Sequence, residues 1–327
     1  MKAAQLVEPG KITIQETPIP SPKPGEVLIR TSVAGLCGSD HSVYHGKFDV
    51  PLPVIPGHEA IGTIVELGEG VTNVSVGQRV TIQPNFGCGV CPLCKSGHDN
   101  ICPSKIRLGI DTNGVLAEYV TAPSRYVWAL PADLPDEVAV FTEPLAVAVH
   151  GVNMLPPNKD DRVLVMGAGI VGLLALQVAR ISGAEITACD LEQTRLDLAE
   201  KLGASRTLGE RDALDAFHNT FDVIYDTSGS PAAFELALQL AAPGGKIVIF
   251  SLPSQEASLN IQTIVRKELQ IKGSMIYTDE FPQAIEILQK GQIDTELMVS
   301  DRLPLSEVQK GLDNFALPRR IKILVEI

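Results

Sequence analysis

Short runs of alternating apolar and polar residues fill the first part of the chain, at 2–7, 12–16, 27–33 and 79–82. A period of two turns one face inward and the other outward, so each run predicts a half-buried strand. Pro and Gly clusters separate the runs, notably Pro18, Pro20, Pro22 and Pro24 ahead of Gly25. Closely spaced strands with turn chemistry between them predict a β-rich, partly barrel-like domain. Near residue 146 the pattern changes. Short apolar runs at 163–166, 186–190, 223–226, 247–250 and 269–272 now alternate with helical periodicity near 170–182, 193–202 and 231–240. Strands that alternate with helices predict a doubly wound parallel sheet, α/β in class. From about 279 the chain is expected to return to the first domain and end in a strand at 321–327. The expected organisation is therefore a first domain at 1–146, an α/β domain at 147–278 and a return segment at 279–327. No internal repeat or low-complexity segment interrupts it.

The strand at 163–166 runs directly into Gly167-Ala168-Gly169-Ile170-Val171-Gly172 and then into a helical apolar pattern. Strand, glycine turn and helix in that order suit a dinucleotide. The glycines permit the turn and close approach of a pyrophosphate, and the helix N-terminus faces it. The next strand ends in Asp190, eighteen residues past Gly172, where a carboxylate can accept hydrogen bonds from a ribose diol. Such a carboxylate repels a 2′-phosphate, which favours NAD over NADP; Arg195 is the nearby residue that works against this preference. Thr227 and Ser251, with Leu252, fall just past two further strand ends and are candidates for the nicotinamide half of the site.

Two cysteine-containing constellations add metal chemistry. Cys88, Cys91, Cys94 and Cys102, with gaps of two, two and seven residues, fit a closed tetrahedral zinc site in a lobe at 86–103 that is too short to build a core of its own. Four thiolates leave no open position, so chemistry needs a second site. Cys37 at a strand end, His58 and Glu59 before another strand, and Glu143 at the start of an apolar helix offer a thiolate, an imidazole and carboxylates for an open zinc site. Composition adds exclusions. A formal charge of −12 and no basic patch argue against nucleic-acid binding, and no apolar run has the length of a membrane span. The first residues lack a secretory signal's apolar stretch, and free thiolates suit a reducing compartment, so a cytoplasmic protein is expected. Cys189, on the second strand of the α/β domain, has no evident chemistry.

Taken in order, Cys37-Gly38-Ser39-Asp40, Gly57-His58-Glu59, the four-cysteine lobe, Gly114 to Tyr119, Glu143-Pro144 and Gly167 to Gly172 resemble the zinc-dependent medium-chain alcohol dehydrogenase superfamily, within it the sorbitol and threonine dehydrogenase branch. The resemblance covers essentially the whole chain. It implies a GroES-like catalytic domain beside a Rossmann domain, one catalytic and one structural zinc, and hydride transfer from a secondary alcohol to NAD. It implies that Cys37, His58 and Glu143 hold the catalytic zinc, with Glu59 either coordinating or displaced by water. Ser39 would take the hydroxyl proton, Asp40 would orient the histidine, and His41 would extend the relay to solvent. Tyr44 is a candidate for the substrate pocket or for core packing, and His150 for a packed or interface histidine. Sorbitol-type members carry Phe-Arg-Tyr after the last Rossmann strand, where this chain has Met275-Ile276-Tyr277. The implied substrate is thus a small polar secondary alcohol: a polyol, a sugar acid or a 3-hydroxy amino acid. A homo-oligomer, dimer or tetramer, is implied as well. The alternatives are a zinc-independent enone or quinone reductase, which generally lacks the Cys37, His58 and Glu143 set, and a non-catalytic cofactor-binding relative.

Overall fold

The computed structural model describes residues 1–209, 214–253 and 255–327. They form two compact units: Met1–Glu143 with Ala284–Lys290 and Thr295–Ile327, and Pro144–Gln283 with Gly291–Asp294.

In the first unit, β1 (Lys2–Glu8) and β2 (Lys11–Glu16) pair as an antiparallel hairpin. The main sheet is organised on β3 (Glu26–Leu36), which pairs with β4 (Glu59–Leu67) and, along its first half, with β8 (Tyr119–Pro123). Beyond β4 lie β5 (Arg79–Ile82) and β9 (Val127–Ala129). On the other side, the final strand β17 (Lys322–Glu326) pairs with the second half of β3, and β16 (Val299–Pro304) lies outside it. One continuous core, including Ala4, Ile29, Ile64, Val80 and Val325, is buried against these strands. Burial along β3 departs from the alternation expected at 27–33: Val27, Leu28 and Ile29 are all buried, Arg30 is exposed, and the register to β4 shifts at Leu28/Ile29 and Thr31/Val33. A two-stranded ladder, β6 (Asn85–Phe86) with β7 (Ile106–Arg107), forms the base of the cysteine lobe.

The second unit holds a six-stranded, all-parallel sheet ordered β12-β11-β10-β13-β14-β15, with β10 (Arg162–Met166), β11 (Glu185–Cys189), β12 (Arg206–Leu208), β13 (Phe221–Asp226), β14 (Ala241–Ile249) and β15 (Gln270–Gly273). Strand order reverses between β10 and β13, the switch point at which such sheets bind ligands beyond their carboxyl ends. Register brings those ends level: Met166 pairs with Cys189 and with Asp226, Asp226 with Ile249, and Ile249 with Gly273. Gly167, Asp190, Thr227, Phe250 and Ser274 consequently follow on one edge of the sheet.

Elements the hydrophobic pattern did not predict are short or polar. β12 has three residues, none fully buried, and β16 alternates between half-buried and exposed positions with Leu303 its one buried side chain. The helices Ile261–Lys267 and Val308–Asp313 are seven and six residues long, too brief for a clear helical period, whereas Phe281–Gln289 buries Phe281, Ala284, Ile285 and Leu288 at helical spacing, a period the sequence reading passed over. Among the described residues no helix is long and apolar enough to cross a membrane.

Candidate metal centres and dinucleotide site

β3 ends at Leu36, and Cys37 is the N-cap of the helix Gly38–Tyr44. Asp40, three residues on and 1% exposed, turns back on the cap: its Oδ2 accepts the Cys37 backbone N–H at 2.9 Å. Its other oxygen, Oδ1, lies 3.0 Å from His58 Nδ1. A carboxylate only accepts, so Nδ1 carries a proton, and Nε2 is the nitrogen that a metal ion would take once its own proton is lost. His58 is set in place by Gly57, whose φ of +94° no side chain adopts easily and whose added Cβ would meet Leu116 Cγ at 2.7 Å. Donor atoms of Cys37, His58 and Glu59 all lie within 4.8 Å of one another. Burial alone would lower the His58 pKa. The Asp40 carboxylate, together with Cys37, outweighs it and holds the pKa well above the usual histidine value. Ser39 Oγ is 3.5 Å from His58 Nε2, the nitrogen turned away from Asp40.

Glu59 is completely buried. Its Oε2 is ion-paired to Lys322 Nζ, while Oε1 has no hydrogen-bond partner. A buried carboxylate oxygen without a donor is costly unless something cationic meets it. Thiolate, imidazole and carboxylate within one coordination radius fit a zinc ion with an open position. Glu143, buried in the first turn of the helix Thr142–Met154, is not part of this three-residue group.

Cys88, Cys91, Cys94 and Cys102 also converge, all four sulfurs within 4.8 Å and all unpaired. Backbone N–H groups of Cys91 and Cys94 point at the Cys88 and Cys91 sulfurs at 3.4 Å, the arrangement that stabilises thiolates. Cys91 caps the short helix Pro92–Lys95, and Tyr126 anchors the lobe by donating to Asp99 Oδ2 at 2.6 Å while accepting from Gly87 N–H at 2.8 Å. The geometry fits a closed four-thiolate zinc site.

In the second unit the three glycines of the turn differ in what surrounds them. Gly167 has φ +91° and no room for a side chain against Ser228 and Thr227; at Gly172 an added Cβ would collide with Gly167 O. Gly169 faces open space, so its backbone can be approached by a ligand at the start of the helix Ile170–Arg180. Thr227 locks the turn from the neighbouring strand, its Oγ1 lying 3.0 Å from Met166 O and 2.9 Å from Gly167 O. Asp190 does the same from β11, with Oδ2 accepting from Ala168 N at 2.7 Å and Oδ1 from Glu192 N at 3.0 Å. Arg195 Nη1 stands 3.8 Å from Asp190 Oδ2. A cavity of about 520 Å³ opens here, lined by Gly167, Gly169, Asp190, Arg195 and Leu208 among others. Ile170 and Val171 begin the helix Ile170–Arg180 but do not line this cavity. Cys189 also lines the cavity, as a neutral thiol whose pKa burial pushes up to about 12.

The family model for the alcohol dehydrogenase GroES-like domain matches residues 23–132, and that for the zinc-binding dehydrogenase matches residues 171–290. The chain belongs to the zinc-binding alcohol dehydrogenases. Among relatives of this family, a sorbitol dehydrogenase of Bacillus subtilis is 35% identical over 96% of this chain and 93% of its own. An L-threonine 3-dehydrogenase of Bacillus velezensis is likewise 35% identical, over 92% and 91%. A structure described as a zinc-binding dehydrogenase from Sinorhizobium meliloti 1021, bound to NADP, superposes with a TM-score of 0.95 at 32% identity, covering 100% of this chain and 99% of the other.

Residues around the sites sort themselves by contact. Tyr44 is a core residue, 2% exposed, its hydroxyl 2.7 Å from Gly10 O and 2.5 Å from Asp313 Oδ1; burial, then the Asp313 bond, pushes the phenol up to about 12. His41 stacks on Phe315 with ring centroids 5.4 Å apart and meets His45 edge-on; burial, then His45 and Lys47, lowers its pKa. His150 Nδ1 lies 2.7 Å from Glu280 Oε1, a packed histidine that ties its helix to the start of the helix Phe281–Gln289. Leu252 is 82% exposed, whereas the Ser251 hydroxyl is buried without a partner. Ser274 and Lys322 escaped the sequence reading, and Ile276, noted there only as a departure from the sorbitol-type motif, has an unusual backbone. The Ser274 hydroxyl, at the end of β15, is likewise buried and unpartnered. Ile276 has φ +47°, uncommon for a β-branched residue. Lys322, fully buried, had a signal in the sequence: a lone cation inside the apolar run Ile321 to Val325.

Proposed function

We propose that the protein is an NAD-dependent zinc alcohol dehydrogenase that oxidises a secondary alcohol of a small polar metabolite. The observation that carries this reading is the convergence of Cys37, His58 and Glu59 around a histidine oriented by Asp40, with Glu59 Oε1 left unpartnered. Those three residues, with Glu143 as a further candidate ligand, would hold zinc. When bound, zinc supplies a Lewis acid that stabilises an alkoxide, the form that releases hydride. Asp40 keeps the His58 proton on Nδ1 and so keeps Nε2 a ligand. Ser39, within 3.5 Å of that nitrogen, is placed to accept the hydroxyl proton of the alcohol. The four-cysteine lobe would carry the structural zinc.

For the cofactor, Gly169 offers open backbone to a pyrophosphate, and Asp190 at the end of β11 meets a ribose diol more favourably than a 2′-phosphate. Arg195 lies close enough to temper that preference. Thr227, Ser251 and Ser274 stand where the nicotinamide end is expected. The polyol and hydroxy amino acid relatives support a small polar secondary alcohol, and retention of Cys37, His58 and Glu143, the set that zinc-independent reductases generally lack, speaks against that reading. Unpaired cysteines suit a cytoplasmic setting, and the free outer edge of β15 suits pairing with a second copy in a homo-oligomer.

The test is cofactor reduction across polyols, sugar acids, 3-hydroxy amino acids and primary alcohols, each with NAD and NADP. The expected result is turnover on one of the polar secondary classes with kcat/KM higher for NAD. Activity confined to simple primary alcohols contradicts the substrate class, and a preference for NADP contradicts the role given to Asp190.

A further inference from the structure

Lys322 reaches Glu59 from two strands away. β17 and β4 flank β3, with Ile323 opposite Leu36 and Gly35 opposite Glu59. Side chains alternate, so Lys322 and Gly35 share a face, and the missing side chain at Gly35 leaves the passage: an added Cβ there would strike Glu59 Oε2 and stand 2.9 Å from Lys322 Cε. The ammonium is wholly buried, ion-paired to Glu59 Oε2 and 3.3 Å from Leu36 O. A buried ion pair holds a fold no better than well-packed apolar residues at both of its positions, so stability alone does not account for this one. The same carboxylate has one oxygen within 4.8 Å of the Cys37 and His58 donor atoms, and its Oε1 has no hydrogen-bond partner.

We propose that Lys322 is a positioning residue of the metal centre: it fixes Glu59 by one oxygen and offsets that carboxylate's charge, so that a bound metal keeps more of its own. The inference rests on the reading of Cys37, His58 and Glu59 as metal ligands. A thiolate and an uncompensated carboxylate together cancel the two charges of zinc, which tightens binding and blunts the ion as an electrophile. With a fixed cation beside the carboxylate, the site binds zinc more weakly and polarises oxygen more strongly.

The experiment measures zinc release from the full-length holoprotein to a chromogenic chelator, for wild type, Lys322→Gln, Lys322→Met and Lys322→Arg, with Cys37→Ser marking which released ion belongs to this site. Gln retains a donor for Glu59 without the charge, so it reads the charge even if the Met variant fails to fold. Site zinc in Lys322→Gln is expected to be held at least about tenfold more tightly. Arg is expected to restore wild-type affinity. Cobalt placed at this site, with zinc retained in the lobe, should show a changed visible spectrum in the Gln variant and an unchanged one in the Arg variant. Unaltered or weakened zinc affinity in Lys322→Gln would overturn the proposal. Two zinc ions remaining in Cys37→Ser would instead overturn the metal-site reading beneath it.

Discussion

Asp190 holds the glycine turn through Ala168 N and also faces the cavity beside it, so one side chain serves both shape and recognition. In Asp190→Ala, kcat/KM for NAD is expected to fall by about tenfold or more while the ratio to NADP moves toward NADP, because a ribose-binding acceptor is lost and a repulsive charge is removed. Equal losses for both cofactors in steady-state kinetics would mean the residue only braces the turn. Asp226 provides a test by pH. Burial raises its pKa, partly countered by bonds from Ser228 N at 3.0 Å and Oγ at 2.6 Å. The folded state therefore binds the proton more tightly than the unfolded chain, and wild-type stability falls as pH rises from the ordinary carboxylate range through the raised value. Asn keeps an acceptor without the charge. The stability advantage of Asp226→Asn in denaturant unfolding should grow across that window and level off above it; a difference independent of pH would contradict the assignment. Residue-scale legibility depended on sequence distance. Cys37 and Asp40 stand three apart and His58 beside Glu59, and both pairs announced themselves. Lys322 meets Glu59 across 263 positions, and no local pattern could report that.

At the scale of elements, the strand, glycine turn and helix at 162–180 was readable because Gly167 and Gly172 each have a steric reason, while Gly169 leaves open backbone for a ligand. Gly172→Ala would place a methyl against Gly167 O, and overpacking of this kind costs about 1–3 kcal/mol. Weaker dinucleotide binding, seen as a reduced calorimetric affinity, is expected along with the lost stability. Gly35→Ala is expected to cost about 3 kcal/mol or more, since it forces apart a buried ion pair; a melting temperature unchanged within a degree would contradict the packing described for β3. The parallel strands with continuous apolar runs were legible for the same reason that they are buried on both faces. β12 and β16 were not, because an edge strand with polar, half-exposed positions carries little hydrophobic signal.

On the scale of the molecule, the sequence separates a half with alternating strands from a half with strands and helices, and two bodies with those characters are found. The cysteine lobe belongs to the first and contributes little apolar core; Cys88, Cys91 and Cys94 remain half-buried. Its stability should therefore come largely from metal. Cys91→Ser is expected to lose one zinc per chain and lower the melting temperature while leaving the zinc at Cys37. The most direct measurement of the whole scheme is zinc per chain alongside NAD reduction, in wild type and Cys37→Ser. About two zinc ions should fall to about one, with turnover abolished and NAD binding intact. Turnover that survives loss of the second zinc, or a wild type that turns over with zinc only in the lobe, would contradict zinc-dependent dehydrogenation at Cys37, His58 and Glu59.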